Sequence, residues 1–169
     1  RKLVSLVLAT AMVTSSMMAM PVFASDDTAA EETADETADE TPEANPELAD
    51  KKVGVCIYQF SDNFMTLFRG ELESYLEELG FSKDNITIQD GANDQATQSN
   101  QIDAFIADGV DLLIVNPVNS SSAESITDKV VAANIPLVYI NREPSEDEEK
   151  RWEDNDWNVT YVGCDARQS

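Results

Sequence analysis

The residues best suited to chemistry in this sequence lie in short polar segments, each directly after an apolar run typical of a β-strand. They follow the first, third and fourth of these runs, and they are Asp62, Phe64, Asn116, Asn141 and Arg142. Carboxylates accept hydrogen bonds, carboxamides donate and accept, and a guanidinium donates, so these groups suit a ligand that carries hydroxyl groups. The ring of Phe64 can cover the apolar C–H face of a sugar and exclude water from both surfaces. The pattern therefore predicts binding of a neutral, polyhydroxylated molecule.

Each of these residues also has a purely structural interpretation. Asp62 can be the N-cap of the first helix, and Phe64 can be a core residue on the apolar face of that helix. Asn116 can belong to a turn with the proline that follows it, and Asn141 and Arg142 can be turn residues as well. The sequence leaves these alternatives open.

Composition excludes several other kinds of chemistry. The chain has 169 residues, with 33 acids, 11 bases, no His and a formal net charge of −22. Nucleic-acid phosphates bind best to surfaces rich in Lys and Arg, so this excess of acids argues against nucleic-acid binding. Without His, neither Ser-His-Asp nor Cys-His catalysis is available, and with only two Cys a classical zinc site is not expected. The glycine-rich patterns that hold phosphates, G-x-x-x-x-G-K-[ST] and G-x-G-x-x-G, are also missing from the sequence.

An alternation of strand and helix patterns must position the candidate residues. Short β-rich apolar runs predict five strands, near residues 53–58, 86–88, 112–115, 137–140 and 159–162. Helical patterns separate the first four, which predicts an α/β fold: a doubly wound parallel sheet with right-handed crossovers and helices on both faces. In such sheets ligands bind outside the carboxyl ends of the strands, which is where the polar segments lie.

The helix ends and the longest loop can also be predicted. The first two helices are expected to end at Gly80 and Gly109, and the third to open with a capping box from Ser121 to Glu124. Residues 143–157 are expected to form a charged loop. Its acidic stretch 146–149 is expected to be solvated, and Trp152 and Trp157 to form a small exposed apolar patch.

Two segments precede the first strand. Residues 1–24 begin with two bases, continue with an apolar run and end in Val-Phe-Ala, which predicts a signal peptide for export. Residues 25–50 contain eleven acids and no bases, which predicts a disordered acidic linker. The chain begins with Arg and stops soon after the fifth strand, so we expect a fragment truncated at both ends.

Residues 51–169 resemble the N-terminal lobe of the periplasmic galactose/glucose-binding proteins, which are the sugar-binding components of ABC importers. Eight stretches keep the family's order and nearly its spacing: 53–58, 62–65, 93–95, 100–103, 113–116, 136–139, 141–144 and 161–163 followed by Asp165. The resemblance implies the N-terminal lobe of a two-lobed type I periplasmic-binding-protein fold, with the sugar held between the lobes. Residues 51–162 would form this incomplete lobe, and residues 163–169 the first hinge crossing toward a second lobe that the sequence lacks.

The resemblance also implies a role for each candidate residue. Asp62 would accept hydrogen bonds from sugar hydroxyls near C4, Phe64 would stack on one face of the pyranose, and Asn141 would bind hydroxyls at the base of the cleft. Asn116 corresponds to a ligand-contacting Asn in ribose-binding relatives, and Arg142 stands where the galactose/glucose branch often has Lys. No catalytic or metal-binding residue is implied in this chain, and the family's calcium-binding loop would belong to the missing lobe.

The expected function is therefore non-enzymatic: an exported, monomeric protein binds galactose or glucose and delivers it to an ABC permease. A chemoreceptor or sensor is a further expected partner, and ribose or another pentose is the alternative ligand.

Two other classes of protein share such folds. A sugar-responsive repressor would need a helix-turn-helix before the first strand, where the sequence has residues 1–50 instead. An enzyme could use paired acids such as Asp62 and Asp165, and an assay for substrate turnover distinguishes it.

Overall fold

The computed structural model describes residues 43–163 of the chain. The expectations for the signal peptide at 1–24, for most of the acidic linker and for the hinge residues 164–169, including Asp165, lie outside the described residues. None of the helices within residues 43–163 is long and apolar enough to cross a membrane.

The described residues form one five-stranded parallel sheet in the order β2-β1-β3-β4-β5. The elements are β1 (Val53–Ile57), α1 (Asn63–Leu79), β2 (Ile86–Asp90), α2 (Gln95–Asp108), β3 (Leu112–Val115), α3 (Ala123–Ala132), β4 (Leu137–Ile140), α4 (Glu146–Asp154) and β5 (Val159–Val162). All five predicted strands are confirmed. In the register of the central strands, Val53 lies beside Ile86 on one side and Leu112 on the other.

The core has two apolar layers, one on each face of the sheet. Met65 and Leu76 of α1 pack in the cluster that includes Val55 and Ile57. The other cluster combines alternate strand residues with side chains from α2, α3 and α4, including Phe105 and Val130. Every residue of β1 is buried, as expected for a strand covered on both faces. The prediction of a parallel α/β sheet with helices on both faces is therefore confirmed.

The ends of the first two helices are confirmed, whereas the start of the third differs from the prediction. Gly80 and Gly109 follow α1 and α2 with φ of 113° and 65°, in the left-handed region that favours glycine. The capping box from Ser121 is wrong, because Ser121 lies in a 3₁₀ turn, Ser120–Ser122, that precedes α3. Asn119 caps this turn by accepting a hydrogen bond from the Ser121 backbone N–H.

The expectation of a charged loop over residues 143–157 is wrong for its central part, which forms α4. The Ser145 side chain caps this helix by accepting a hydrogen bond from the backbone N–H of Glu148. The acids of the first turn lie where the helix dipole favours negative charge, so the stretch that suggested a solvated loop also stabilises a helix start.

The two tryptophans of this segment are not an exposed patch. Trp152 is buried and its ring stacks on Tyr139, with ring centroids 5.4 Å apart. Trp157 is half-buried and packs against the same apolar cluster. The acidic stretch is likewise not uniformly solvated, because Glu148 is buried and accepts hydrogen bonds from Arg151 and from the Trp152 indole N–H.

The last residues of the acidic segment lie against the sheet-and-helix unit rather than apart from it. Pro46–Leu48 form a 3₁₀ turn, and Leu48 packs on the apolar cluster beneath α1. The Asn45 backbone N–H donates to the carbonyl of Leu79, 2.8 Å away, which is one of the carbonyls that a helix end leaves without an intrahelical partner. The ordered unit therefore extends before the boundary at residue 51 that composition indicated.

Candidate functional site

The carboxyl ends of β1, β3 and β4 bring the candidate residues to one edge of the sheet. Asp62 and Phe64 lie at the start of α1, directly after β1, and Asn116 follows β3. Asn141 and Arg142 follow β4, which is the next strand after β3 in the sheet. We call this edge the strand-end surface. Its members differ strongly in exposure and in the hydrogen bonds that they already make.

Asp62 is the N-cap of α1, so its structural interpretation is confirmed. Its Oδ1 accepts hydrogen bonds from the backbone N–H groups of Phe64 at 2.8 Å and Met65 at 3.2 Å. Its Oδ2 accepts a short hydrogen bond from the hydroxyl of Tyr58. The hydrogen bond from the Tyr58 hydroxyl has the largest effect on the pKa of the Asp62 carboxyl and lowers it below its ordinary value. The hydrogen bond from the Met65 N–H has the second-largest effect and lowers this pKa further. The side chain is half-buried and stays ionised at neutral pH.

Phe64 presents its ring to solvent. Its side chain is 59% exposed although it lies in the first turn of α1. The ring of Phe68 lies 6.0 Å away between centroids and contacts it from the same helix. The interpretation of Phe64 as a core residue is therefore wrong, and the residue offers an exposed aromatic surface at the start of the helix that Asp62 caps.

Asn116 lies beneath the strand-end surface and is completely buried. Its backbone N–H donates to Cys56 and its carbonyl accepts from the Gln98 side chain, both in hydrogen bonds of 2.8–2.9 Å. Its Nδ2 donates to the sulfur of Met65 at 3.2 Å, and its Oδ1 has no partner. In this arrangement Asn116 connects the end of β3 to α1 and α2.

Asn141 and Arg142 form the turn after β4 but use their side chains differently. Asn141 is exposed and has φ of 62°, and its N–H donates to the carbonyl of Val162 on β5. Arg142 is half-buried and donates to the carbonyls of Pro117 and Val118. Its guanidinium also stacks on the Tyr58 ring, 3.9 Å from the centroid. Asn141 is therefore free to meet a ligand through its side chain, whereas Arg142 is engaged within the protein.

Two residues of this surface were missed by sequence reasoning. The sequence suggested that Tyr58 is only the last residue of an apolar strand. In the structure its hydroxyl contacts Asp62, and the Arg142 guanidinium stacks on its ring. Asp90, at the end of β2, accepts hydrogen bonds from the backbone N–H groups of Phe60 at 3.0 Å and Ala92 at 2.8 Å. The only signal for the first was a Tyr and an Asp four residues apart across a strand end.

Metal binding finds no support in the part of the chain that the structure describes. Within residues 43–163, no group of three or more Cys, Asp and Glu side chains is placed to hold a metal ion. The strand-end surface instead combines a carboxylate, a carboxamide and an aromatic ring.

An open parallel sheet with such a polar edge defines one lobe of an α/β binding protein. Residues 53–169 match the model of the periplasmic binding protein domain, so the chain belongs to this family. The chain is 34% identical over 121 residues to the D-galactose/methyl-galactoside binding periplasmic protein of Haemophilus influenzae, which covers 72% of this chain and 35% of that protein.

Solved structures agree with this assignment. An ABC transporter solute binding protein from Bacillus halodurans C-125 with bound myo-inositol is 32% identical, with a TM-score of 0.51, over 60% of this chain and 34% of that one. The binding component of the arabinose ABC transporter from Shewanella sp. ANA-3 has a TM-score of 0.57 over 68% of this chain and 35% of that one; at 23% identity it shows the fold alone. The chain spans about a third of the length of these relatives.

Proposed function

We propose that this chain is the N-terminal sugar-binding lobe of an exported, two-lobed protein that binds a monosaccharide and delivers it to an ABC permease. The observation that carries the proposal is that the exposed Phe64 ring and the ionised Asp62 carboxylate both belong to the start of α1, directly after the carboxyl end of β1. An aromatic face and a charged acceptor two residues apart suit a molecule with one apolar face and a rim of hydroxyls.

Three side chains would contact the sugar in this lobe. Asp62 accepts a hydrogen bond from a hydroxyl through Oδ2, which one protein donor occupies, whereas two donors already occupy Oδ1. Phe64 stacks on the C–H face of the sugar ring, and the exposed Asn141 amide donates hydrogen bonds to sugar hydroxyls or accepts hydrogen bonds from them. We propose no direct contact for Asn116 and Arg142, since the first is buried and the second is engaged with Pro117 and Val118.

Galactose or glucose is the ligand that we propose first. The similarity to the Haemophilus influenzae galactose-binding protein, 34% identical over 72% of this chain, supports it. A cyclic polyol such as myo-inositol is the second candidate, favoured by the similarity to the Bacillus halodurans protein with bound myo-inositol. The three side chains suit both molecules, because each ligand combines a six-membered ring with several hydroxyls.

The remaining steps follow from a two-lobed architecture. Residues 163–169 would form the first hinge crossing, and a second lobe would close over the sugar and add the opposing contacts. The ligand then shifts the population toward a closed form, which the permease recognises. Residues 1–24 would direct export and residues 25–50 would act as a spacer. We propose a monomer without enzymatic activity, and a chemoreceptor or sensor as a further partner.

A thermal-shift panel on the whole two-lobed protein tests the proposed function. The ligands are galactose, glucose, ribose and myo-inositol. A ligand at about 100 times its Kd stabilises the native state by roughly 2.7 kcal/mol, which raises Tm by several degrees. The proposal predicts such a shift with galactose or glucose. A shift confined to myo-inositol supports the second candidate, and no shift with any of the four contradicts sugar binding. Unchanged amounts of each ligand after prolonged incubation are expected of a protein that is not an enzyme.

A further inference from the structure

Tyr58, Asp62 and Arg142 form a contact chain that connects three strand ends. The Tyr58 hydroxyl donates to Oδ2 of Asp62, at the start of α1. The Arg142 guanidinium, from the turn after β4, lies 3.9 Å from the centroid of the Tyr58 ring. The same guanidinium donates to the carbonyls of Pro117 and Val118, which follow β3. The orientation of Asp62 is thus connected to the loops after β3 and β4.

The hydrogen bonds that Asp62 accepts show how Tyr58 limits the acceptor positions left on this carboxylate. A carboxylate offers about four lone-pair positions, two on each oxygen. The N–H groups of Phe64 and Met65 fill both positions of Oδ1, and the Tyr58 hydroxyl fills one position of Oδ2. One acceptor position remains, on Oδ2, and its direction is fixed by the other three bonds.

We propose that Tyr58 is a positioning residue for sugar binding: its hydroxyl fixes the direction of the single acceptor position that Asp62 keeps for the ligand. This inference rests on the proposed function, because it assumes that a sugar hydroxyl uses that position. Tyr58 itself is buried, with 8% of its surface exposed, and acts on the ligand through Asp62. Arg142 supports it by holding the ring from one face.

The hydrogen bond between Tyr58 and Asp62 can be followed by a direct measurement, the pKa of the Asp62 carboxyl. The charged and titratable groups that face Asp62 are Tyr58 and Arg142, and both lower the pKa of its carboxyl, with Tyr58 having the larger effect. The hydrogen bond to Asp62 also raises the pKa of the Tyr58 phenol, because loss of the phenol proton would break that bond. Removal of the hydroxyl alone should therefore return the pKa of Asp62 toward its ordinary value.

The test compares Tyr58→Phe with Tyr75→Phe in the whole protein. Tyr75 lies on α1, is 49% exposed, and its variant removes the same hydroxyl away from the strand-end surface. Two measurements are made on each variant. The carboxyl carbon of Asp62 is titrated by NMR without ligand, and the Kd of the sugar that stabilises the unmodified protein is measured by calorimetry. In Tyr58→Phe we expect a higher pKa of Asp62 and a Kd raised roughly three- to tenfold, the effect of one hydrogen bond. In Tyr75→Phe neither should change.

The outcomes separate this inference from the proposed function. An unchanged pKa of Asp62 in Tyr58→Phe, or an unchanged Kd in a variant whose pKa has moved, overturns the positioning role while sugar binding stands. An unmodified protein that binds none of the four ligands overturns the proposed function, and with it the role toward a ligand. The NMR titration still decides in that case whether Tyr58 controls the Asp62 carboxyl.

Discussion

Asp62 has one role that the structure shows and a second role that we propose. Its Oδ1 caps α1, and its Oδ2 keeps an acceptor position that the cap does not use. The sequence predicted an N-cap and a ligand contact as alternatives, since Asp is a good N-cap and a good acceptor for hydroxyls; the cap is confirmed, and the ligand contact stays a prediction. The sequence could not show that one carboxylate has a separate oxygen for each role, because the division between the two oxygens depends on where Tyr58 lies.

Asp62→Ser separates these roles. A Ser hydroxyl can still cap α1, whereas the free acceptor position and the charge are lost. We expect Tm to change little and the Kd for sugar to rise about 10- to 100-fold, as for loss of a hydrogen bond to a charged group. Asp94→Ser is the matched control, because Asp94 caps α2 through the Thr97 N–H. Calorimetry on both variants checks the prediction, and an equal effect on Kd in the two contradicts a ligand role for Asp62.

Asn141 gives a second prediction, because its backbone conformation and its side chain can be tested apart. Asn141→Gly keeps a residue that accepts φ of 62° without strain and removes only the amide. The protein should remain as stable, and sugar binding should weaken about tenfold, for the loss of one or two hydrogen bonds. Asn134→Gly is the control, since Asn134 has φ of 57° in the turn before β4, at the opposite end of that strand. A similar Kd in all three proteins would show that the Asn141 amide does not meet the ligand.

At the scale of the elements, the alternation of strands and helices could be predicted from the sequence, whereas the helix within residues 143–157 could not. The strands could be located because short apolar runs bounded by polar residues are typical of buried strands. Helix α4 was missed because its first turn is acidic and its apolar face is short. Two of the contacts that stabilise it, the Trp152 ring on Tyr139 and the Arg151 ion pair with Asp128 of α3, are tertiary and leave no periodic signal in the sequence.

The buried Glu148 should make the stability of this unit depend on pH. Burial alone would raise its pKa, but hydrogen bonds from Arg151 and Trp152 outweigh burial and hold the pKa below its ordinary value. The unfolded chain therefore binds the proton more readily than the folded one. The stabilisation is present above the ordinary Glu pKa of about 4.3 and is lost as the pH falls below it.

Glu148→Gln tests this dependence. At neutral pH we expect a loss of about 1–2 kcal/mol of stability, because Arg151 loses a charged partner and keeps only Asp128. Below pH of about 4 the difference in Tm from the unmodified protein should shrink. The exposed Glu153 of the same helix provides the control variant, Glu153→Gln. Melting curves at several pH values check both, and a Tm difference that stays constant with pH contradicts the role of the Glu148 charge.

At the scale of the whole molecule, we propose that the exposed candidate residues form one wall of a sugar site. They lie on an open edge of the sheet, and the chain spans about a third of its relatives. The residue types at successive strand ends, carboxylate, amide and aromatic, led to the class of ligand that we propose. They do not distinguish one sugar from another, since under the proposed function this distinction depends also on contacts from a second lobe. The burial of Asn116 was also beyond the sequence, because it depends on how Met65 packs above it.

The measurement that tests the central claim most directly is a calorimetric titration of galactose into the whole protein and its Phe64→Ala and Leu67→Ala variants. Both side chains are strongly exposed on α1, at 59% and 73%, so neither variant should unfold the protein. We expect saturable one-to-one binding to the unmodified protein, a Kd raised about tenfold or more in Phe64→Ala through lost stacking, and no change in Leu67→Ala. Equal affinities in all three proteins, or no binding of galactose, glucose or myo-inositol to any of them, would contradict a sugar site on the strand-end surface.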